Sequence, residues 1–203
     1  MLSLACLVFL SGCAALKENV AIREPSENPR ARIRVVIPSV FNAYRGVRGF
    51  PNSACIGKKV DGNGNIVSSQ FGFEKHLNGQ SLDMPATELS QRKNTVKAEF
   101  FAVADQPISF RYLIPDISSL TIVGNDEFRT RIPGCTANIS MVPEAGADYE
   151  LAFELGASGK CAYEARKLVV RPSEGDSTAS LIPFPIQAVG TCDIQRTVKT
   201  SAQ

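Results

Sequence analysis

Along the chain, hydrophobic and polar positions alternate in short runs separated by Gly, Pro, Asn and Asp. Residues 32–37 set Ile33 and Val35 against Arg32 and Arg34, the period of two that turns one face of a strand toward a core. The same reading places strands at residues 65–73, 96–104, 108–114, 119–124, 135–142, 149–155, 161–170 and 181–189. Turn chemistry stands between them: Asp61-Gly62-Asn63-Gly64, Gln106-Pro107, and PEAGAD at residues 143–148. The last predicts a hairpin joining 135–142 to 149–155. Pro183 and Pro185 mark the final run as an edge or irregular strand. Only residues 84–93 have helical character. Many short strands between such turns predict an all-β fold, an antiparallel β-sandwich.

The pattern also divides the chain. Residues 1–12 are apolar and uncharged, residues 13–31 are polar with Pro25 and Pro29, and the alternating runs fill residues 32–203. This predicts a leader, a flexible tether and one sandwich domain. Composition narrows the function classes. With 203 residues, 44% hydrophobic, and a net charge of +2, the chain is neither disordered throughout nor a strongly basic nucleic-acid binder. No apolar run approaches the roughly 18 residues of a membrane-spanning helix. One His and no Trp leave little catalytic or stacking chemistry.

The leader ends in Leu10-Ser11-Gly12-Cys13. That tetrapeptide resembles the lipobox of bacterial lipoproteins, in which an aliphatic residue and two small residues precede the cysteine that is acylated and becomes residue one. No Lys or Arg precedes the apolar run, a departure from the usual pattern. The resemblance implies a mature chain beginning at a diacylglyceryl- and palmitate-bearing Cys13. Ala14 follows rather than the Asp that signals inner-membrane retention in Gram-negative lipoproteins, which in such a host implies anchoring in the outer membrane; a domain facing the periplasm is expected.

Setting aside Cys6 and Cys13 leaves Cys55, Cys135, Cys161 and Cys192. In an oxidising compartment four cysteines read as two disulfides with three connectivities open. The nested pairing, Cys135–Cys161 with Cys55–Cys192, is favoured: the first would bracket the expected hairpin, and the second would tie the C-terminal region to the early chain. With no CxxC pair, the cysteines do not read as a zinc site, and no metal or cofactor is expected.

Other candidate chemistry is weaker. His76 lies in a polar stretch, without a G-x-S-x-G nucleophile elbow anywhere to suggest a Ser–His partnership. Asp61-Gly62-Asn63-Gly64-Asn65 begins like a calcium loop, but Ile66 and Gly72 stand where the loop needs Gly and Glu; a turn is the better reading. No spacing singles out a pair of carboxylates. The charge distribution is more informative. Residues 28–60 hold seven basic residues and no acid, and Arg30, Arg32 and Arg34 alternate so that a strand would put them on one face. Beside a lipid anchor that face is a candidate contact for an anionic surface.

A cysteine-bearing strand, then Pro143-x-x-Gly146-x-x-Tyr149, then a strand and a second cysteine, is similar to a pattern in proteobacterial lipoproteins with a transthyretin-like or immunoglobulin-like sandwich. Physically, Pro143 and Gly146 shape the turn, and Tyr149 buries its ring while its hydroxyl bonds back to the backbone. Together these readings lead us to expect a non-enzymatic, lipid-anchored envelope protein that binds envelope proteins, or anionic lipid or glycan, as an accessory or structural subunit. The alternative is an inhibitor of a lysozyme-like hydrolase, acting through a protruding loop at residues 62–65 or 78–85.

Overall fold

The computed structural model describes residues 20–39, 44–69, 75–123, 126–170 and 179–192. The predicted leader, the lipobox and Cys13 lie outside these, as do the ends of the strands expected at 65–73 and 119–124. Among the described residues the strands are β1 (Arg30–Pro38), β2 (Gly46–Phe50), β3 (Gly64–Ser68), β4 (Thr95–Val103), β5 (Ile108–Ile114), β6 (Ile117–Val123), β7 (Asp126–Ile132), β8 (Cys135–Met141), β9 (Asp148–Leu155), β10 (Cys161–Val170), β11 (Ala179–Pro183) and β12 (Gln187–Ala188). One short helix, α1 (Glu88–Gln91), lies within the region given helical character.

Two five-stranded sheets pack face to face, in the orders β11-β10-β9-β1-β4 and β12-β8-β5-β2-β3. Alternation decides which side chains meet. Ile33, Val35, Phe100, Tyr149, Leu151 and Phe153 point inward from the first sheet, and Val47, Phe110, Tyr112, Ile139 and Met141 from the second. Phe100 meets Phe110 edge-on at 6.5 Å, and Tyr112 tilts against Phe153 at 5.2 Å. The pairings are antiparallel apart from β1 with β9, which run parallel. β6 and β7 pair only with each other, as a separate hairpin.

Three expectations are corrected, and two strands were not expected. Residues 135–142 and 149–155 do not form a hairpin: β8 pairs with β5 and β12, while β9 pairs with β1 and β10. PEAGAD therefore carries the chain from one sheet to the other. The run at 181–189 divides at Phe184–Ile186 into two edge strands on opposite sheets. β2 and β7 carry no alternation strong enough to predict them. β2 holds Gly46 and Gly49, and a Cβ at Gly49 would stand 2.4 Å from Ile22 Cδ1 and 2.8 Å from Ile66 Cδ1.

Finally, the expected tether is part of the fold from Val20 onward. Ala21 bridges Asn65 in parallel, Asn65 N–H donates to the Val20 carbonyl at 2.8 Å, and Ile22 joins the core. Gly64 permits this approach, since a Cβ there would lie 2.3 Å from the Ala21 carbonyl carbon.

Candidate functional site

The two disulfides join Cys55 to Cys192 and Cys135 to Cys161. Cys135 opens β8 and Cys161 opens β10, so this bond ties the two sheets together rather than bracketing a hairpin. The other fastens the loop after β2 to the segment after β12, where Ile56 bridges Thr191 and Cys192 N–H donates to the Ile56 carbonyl.

The densest polar cluster lies on the outer face of the first sheet. Its origin is register. Arg34 on β1 stands directly opposite Glu99 on β4 and Glu150 on β9; Arg32 stands opposite Asp148 on β9. The ion pairs follow the ladder: Arg34 Nη2 to Glu99 Oε1 at 2.6 Å, Arg34 Nη1 to Glu150 Oε2 at 3.2 Å, and Arg32 to both oxygens of Asp148 at 2.7 Å.

Residues 78–91 cross over this cluster as a strap. Gly79 N–H donates to the Lys97 carbonyl and Glu99 N–H to that of Gln80, so the strap begins along the edge of β4. It then bonds into the charges beneath. Arg34 donates to the carbonyls of Met84 and Pro85, each at 2.9 Å, and Arg32 to that of Leu82 at 2.9 Å. Glu99 Oε2 accepts from the backbone of Leu82 at 2.6 Å and of Met84 at 3.2 Å. The Thr87 hydroxyl donates to Glu150 Oε2, and its oxygen also caps α1 by accepting from Ser90 N–H at 3.0 Å. Burial alone would raise the Glu99 pKa; hydrogen bonds from Leu82, Arg34 and Met84 outweigh it and hold the carboxyl below its ordinary range.

This arrangement is suited to fastening. Arg34, Glu99 and Glu150 are 2%, 5% and 1% exposed, so their polar atoms meet the strap rather than a substrate. Buried charges persist where they are paired and hydrogen-bonded. Glu150 Oε1 is the exception, with no hydrogen-bond partner among the described residues.

On the face expected to meet an anionic surface, the arginines already have partners within the fold. Arg30, Arg32 and Arg34 do share one face of β1, but Arg32 and Arg34 are held in internal ion pairs. Arg30 donates to Asn28 at 3.0 Å and stacks over the Phe101 ring at 4.1 Å. Sequence shows the alternation but not the covering strap, since Glu99 and Glu150 lie 65 and 116 residues from Arg34 along the chain.

The remaining candidates are placed as follows. His76 is half-buried, and its Nδ1 accepts from Asn78 N–H at 3.3 Å. The calcium-like segment is a turn leading into β3, with Gly62 at a φ of +70°. There Asn63 Oδ1 accepts from Arg48 Nε and Nη2 at 2.9 and 2.6 Å, which sets a guanidinium against the oxygen that a calcium loop would turn to the metal ion. Among the described residues no group of three or more His, Cys, Asp or Glu is placed to hold a metal ion.

Both loops considered for inhibition are hydrogen-bonded to the body of the fold. Residues 62–65 pack on residues 20–23, and residues 78–85 lie in the strap, with Asn78 bonded to both backbone groups of Ser68. Tyr149 does what its position beside the turn suggests: its ring is buried and its hydroxyl accepts from Glu144 N–H at 2.9 Å. The chain matches no protein-family model, and no curated protein is significantly similar to it.

Proposed function

We propose that this chain is a lipid-anchored protein of the outer membrane, facing the periplasm, with a non-catalytic binding or structural role. The observation that carries the reading is the use of the cysteines. Cys55, Cys135, Cys161 and Cys192 are consumed in disulfides, which suits an oxidising compartment. Beyond residue 12 this leaves Cys13, the cysteine of the lipobox-like Leu10-Ser11-Gly12-Cys13, as the one thiol for acylation. The strap-covered ionic layer on the outer face of the first sheet supports a structural rather than a catalytic use of the best-organised charges.

The sandwich is better read as transthyretin-like than as immunoglobulin-like. In immunoglobulin domains the first two strands are neighbours in one sheet. Here β1 lies between β4 and β9, while β2 belongs to the opposite sheet. A specific observation keeps the inhibitor alternative as second reading: the β6–β7 hairpin pairs with neither sheet, so it is the element available to enter a cleft.

Acyl labelling tests the anchor. Labelled palmitate should enter the intact chain and be lost in Cys13→Ala; equal labelling of both removes the proposal. In-cell crosslinking of the intact chain then separates the roles. A stoichiometric envelope partner supports an accessory subunit, whereas a glycan hydrolase supports inhibition.

A further inference from the structure

Arg45 sets a charge on the core side of the sandwich. It stands just before β2, two residues from Val47, which belongs to the core. Alternation therefore turns both toward the space between the sheets. Ser69 fixes the backbone at this point: Arg45 N–H donates to Ser69 Oγ at 2.9 Å, and Ser69 N–H donates to the Arg45 carbonyl at 2.8 Å. Arg45 is 9% exposed.

The neighbour of its guanidinium is the hydroxyl of Tyr112. Tyr112 is the cross-strand partner of Val47 on β5 and is fully buried. Burial raises the Tyr112 pKa, and the Arg45 cation lowers it, so the two groups lie within electrostatic reach. They are not aligned as donor and acceptor. Arg45 Nε and Tyr112 Oη are both buried without a hydrogen-bond partner among the described residues. No carboxylate among those residues forms an ion pair with Arg45.

This is the reverse of Arg34, whose charge is met by Glu99 and Glu150. A guanidinium keeps its proton in a protein, and a buried charge persists where a partner neutralises it. Here the fold supplies two donors, one charged and one neutral, in apolar surroundings; the Phe153 ring lies 5.2 Å from that of Tyr112. A carboxylate matches that set, with one oxygen for the guanidinium and the other for the phenol. A dianion matches it less well. One positive charge would leave a negative charge unpaired, and the charge of Glu154 already acts on the hydroxyl.

We propose that Arg45 and Tyr112 form a binding site for a small monocarboxylate, the guanidinium holding one oxygen and the phenol the other. Nothing in this site depends on the lipid anchor.

The test is isothermal titration of sodium acetate into the full chain at pH 7, with sodium chloride holding the ionic strength constant. One site per chain is expected. Acetate should also shift the tyrosine absorption, which no tryptophan masks. A hydrogen bond to a charged group contributes at least about tenfold in affinity. Tyr112→Phe should therefore bind acetate about tenfold more weakly and lose the absorption shift. Arg45→Gln, which also removes the charge, should bind more weakly still, and Arg45→Lys should fall between it and the wild type. Without acetate, Tyr112→Phe should unfold at an equal or higher urea concentration, because it deletes a hydroxyl that has no partner. No acetate binding, or binding undiminished in either Tyr112→Phe or Arg45→Gln, overturns the proposal. Binding of inorganic phosphate in place of acetate, lost in Arg45→Gln, would overturn the monocarboxylate. Should Arg45→Gln fail to fold by circular dichroism, Tyr112→Phe alone decides, with a tenfold loss expected.

Discussion

Arg34 shows how one residue type serves opposite ends according to its neighbours. Its guanidinium is buried because the register supplies Glu99 and Glu150 on either side and the strap supplies the carbonyls of Met84 and Pro85. Removing one partner of a buried ion pair leaves the others charged and unpaired, a loss of about 3–5 kcal/mol. Arg34→Met should therefore lower the unfolding free energy by about that amount in urea titration. Replacing Glu99 and Glu150 by apolar residues in the same chain should recover much of the loss. The same cluster makes stability depend on pH. The Glu99 pKa is lowered on folding from the ordinary 4.5, so its contribution is complete above that value and disappears as the pH falls through the folded value. Urea midpoints of the wild type should drop across that interval. Those of Glu99→Gln should start lower at neutral pH and change less.

At the level of elements, alternation was enough to locate β1, β4, β5, β8, β9 and β10, because each sets apolar residues on one face. It could not assign partners. Six residues between β8 and β9 permit a hairpin, but β8 instead pairs with β5 over seven residues, from Ile108 opposite Met141 to Ile114 opposite Cys135. The sequence pattern of the strap is equally silent: residues 78–91 are fixed largely by charges on other strands, and the Thr87 cap is a local feature. The corrected pairing changes the role of the Cys135–Cys161 disulfide, which spans 26 residues and two sheets. Chain-entropy reasoning gives it about 3–4 kcal/mol, and about 5 kcal/mol to Cys55–Cys192, whose separation is 137. Urea titration of Cys135→Ser/Cys161→Ser and Cys55→Ser/Cys192→Ser should return losses in that order. The reverse order would mean that holding the sheets together outweighs the length of chain closed.

For the whole molecule, the placement of Val20 on the β3 edge matters more than any one bond. Had residues 13–31 been a free tether, the sandwich could take any orientation toward a lipid on Cys13. Instead Ala21 bridges Asn65 and Ile22 enters the core, so this segment closes the edge of β3. Gly64 and Gly49 leave the space it fills, since a Cβ on either would meet Ala21 or Ile22. Ile22→Ala should therefore lower the unfolding free energy by about 2–5 kcal/mol in urea titration, as the loss of a buried isoleucine does. An unchanged midpoint would mean that the segment lies on the sandwich without holding it.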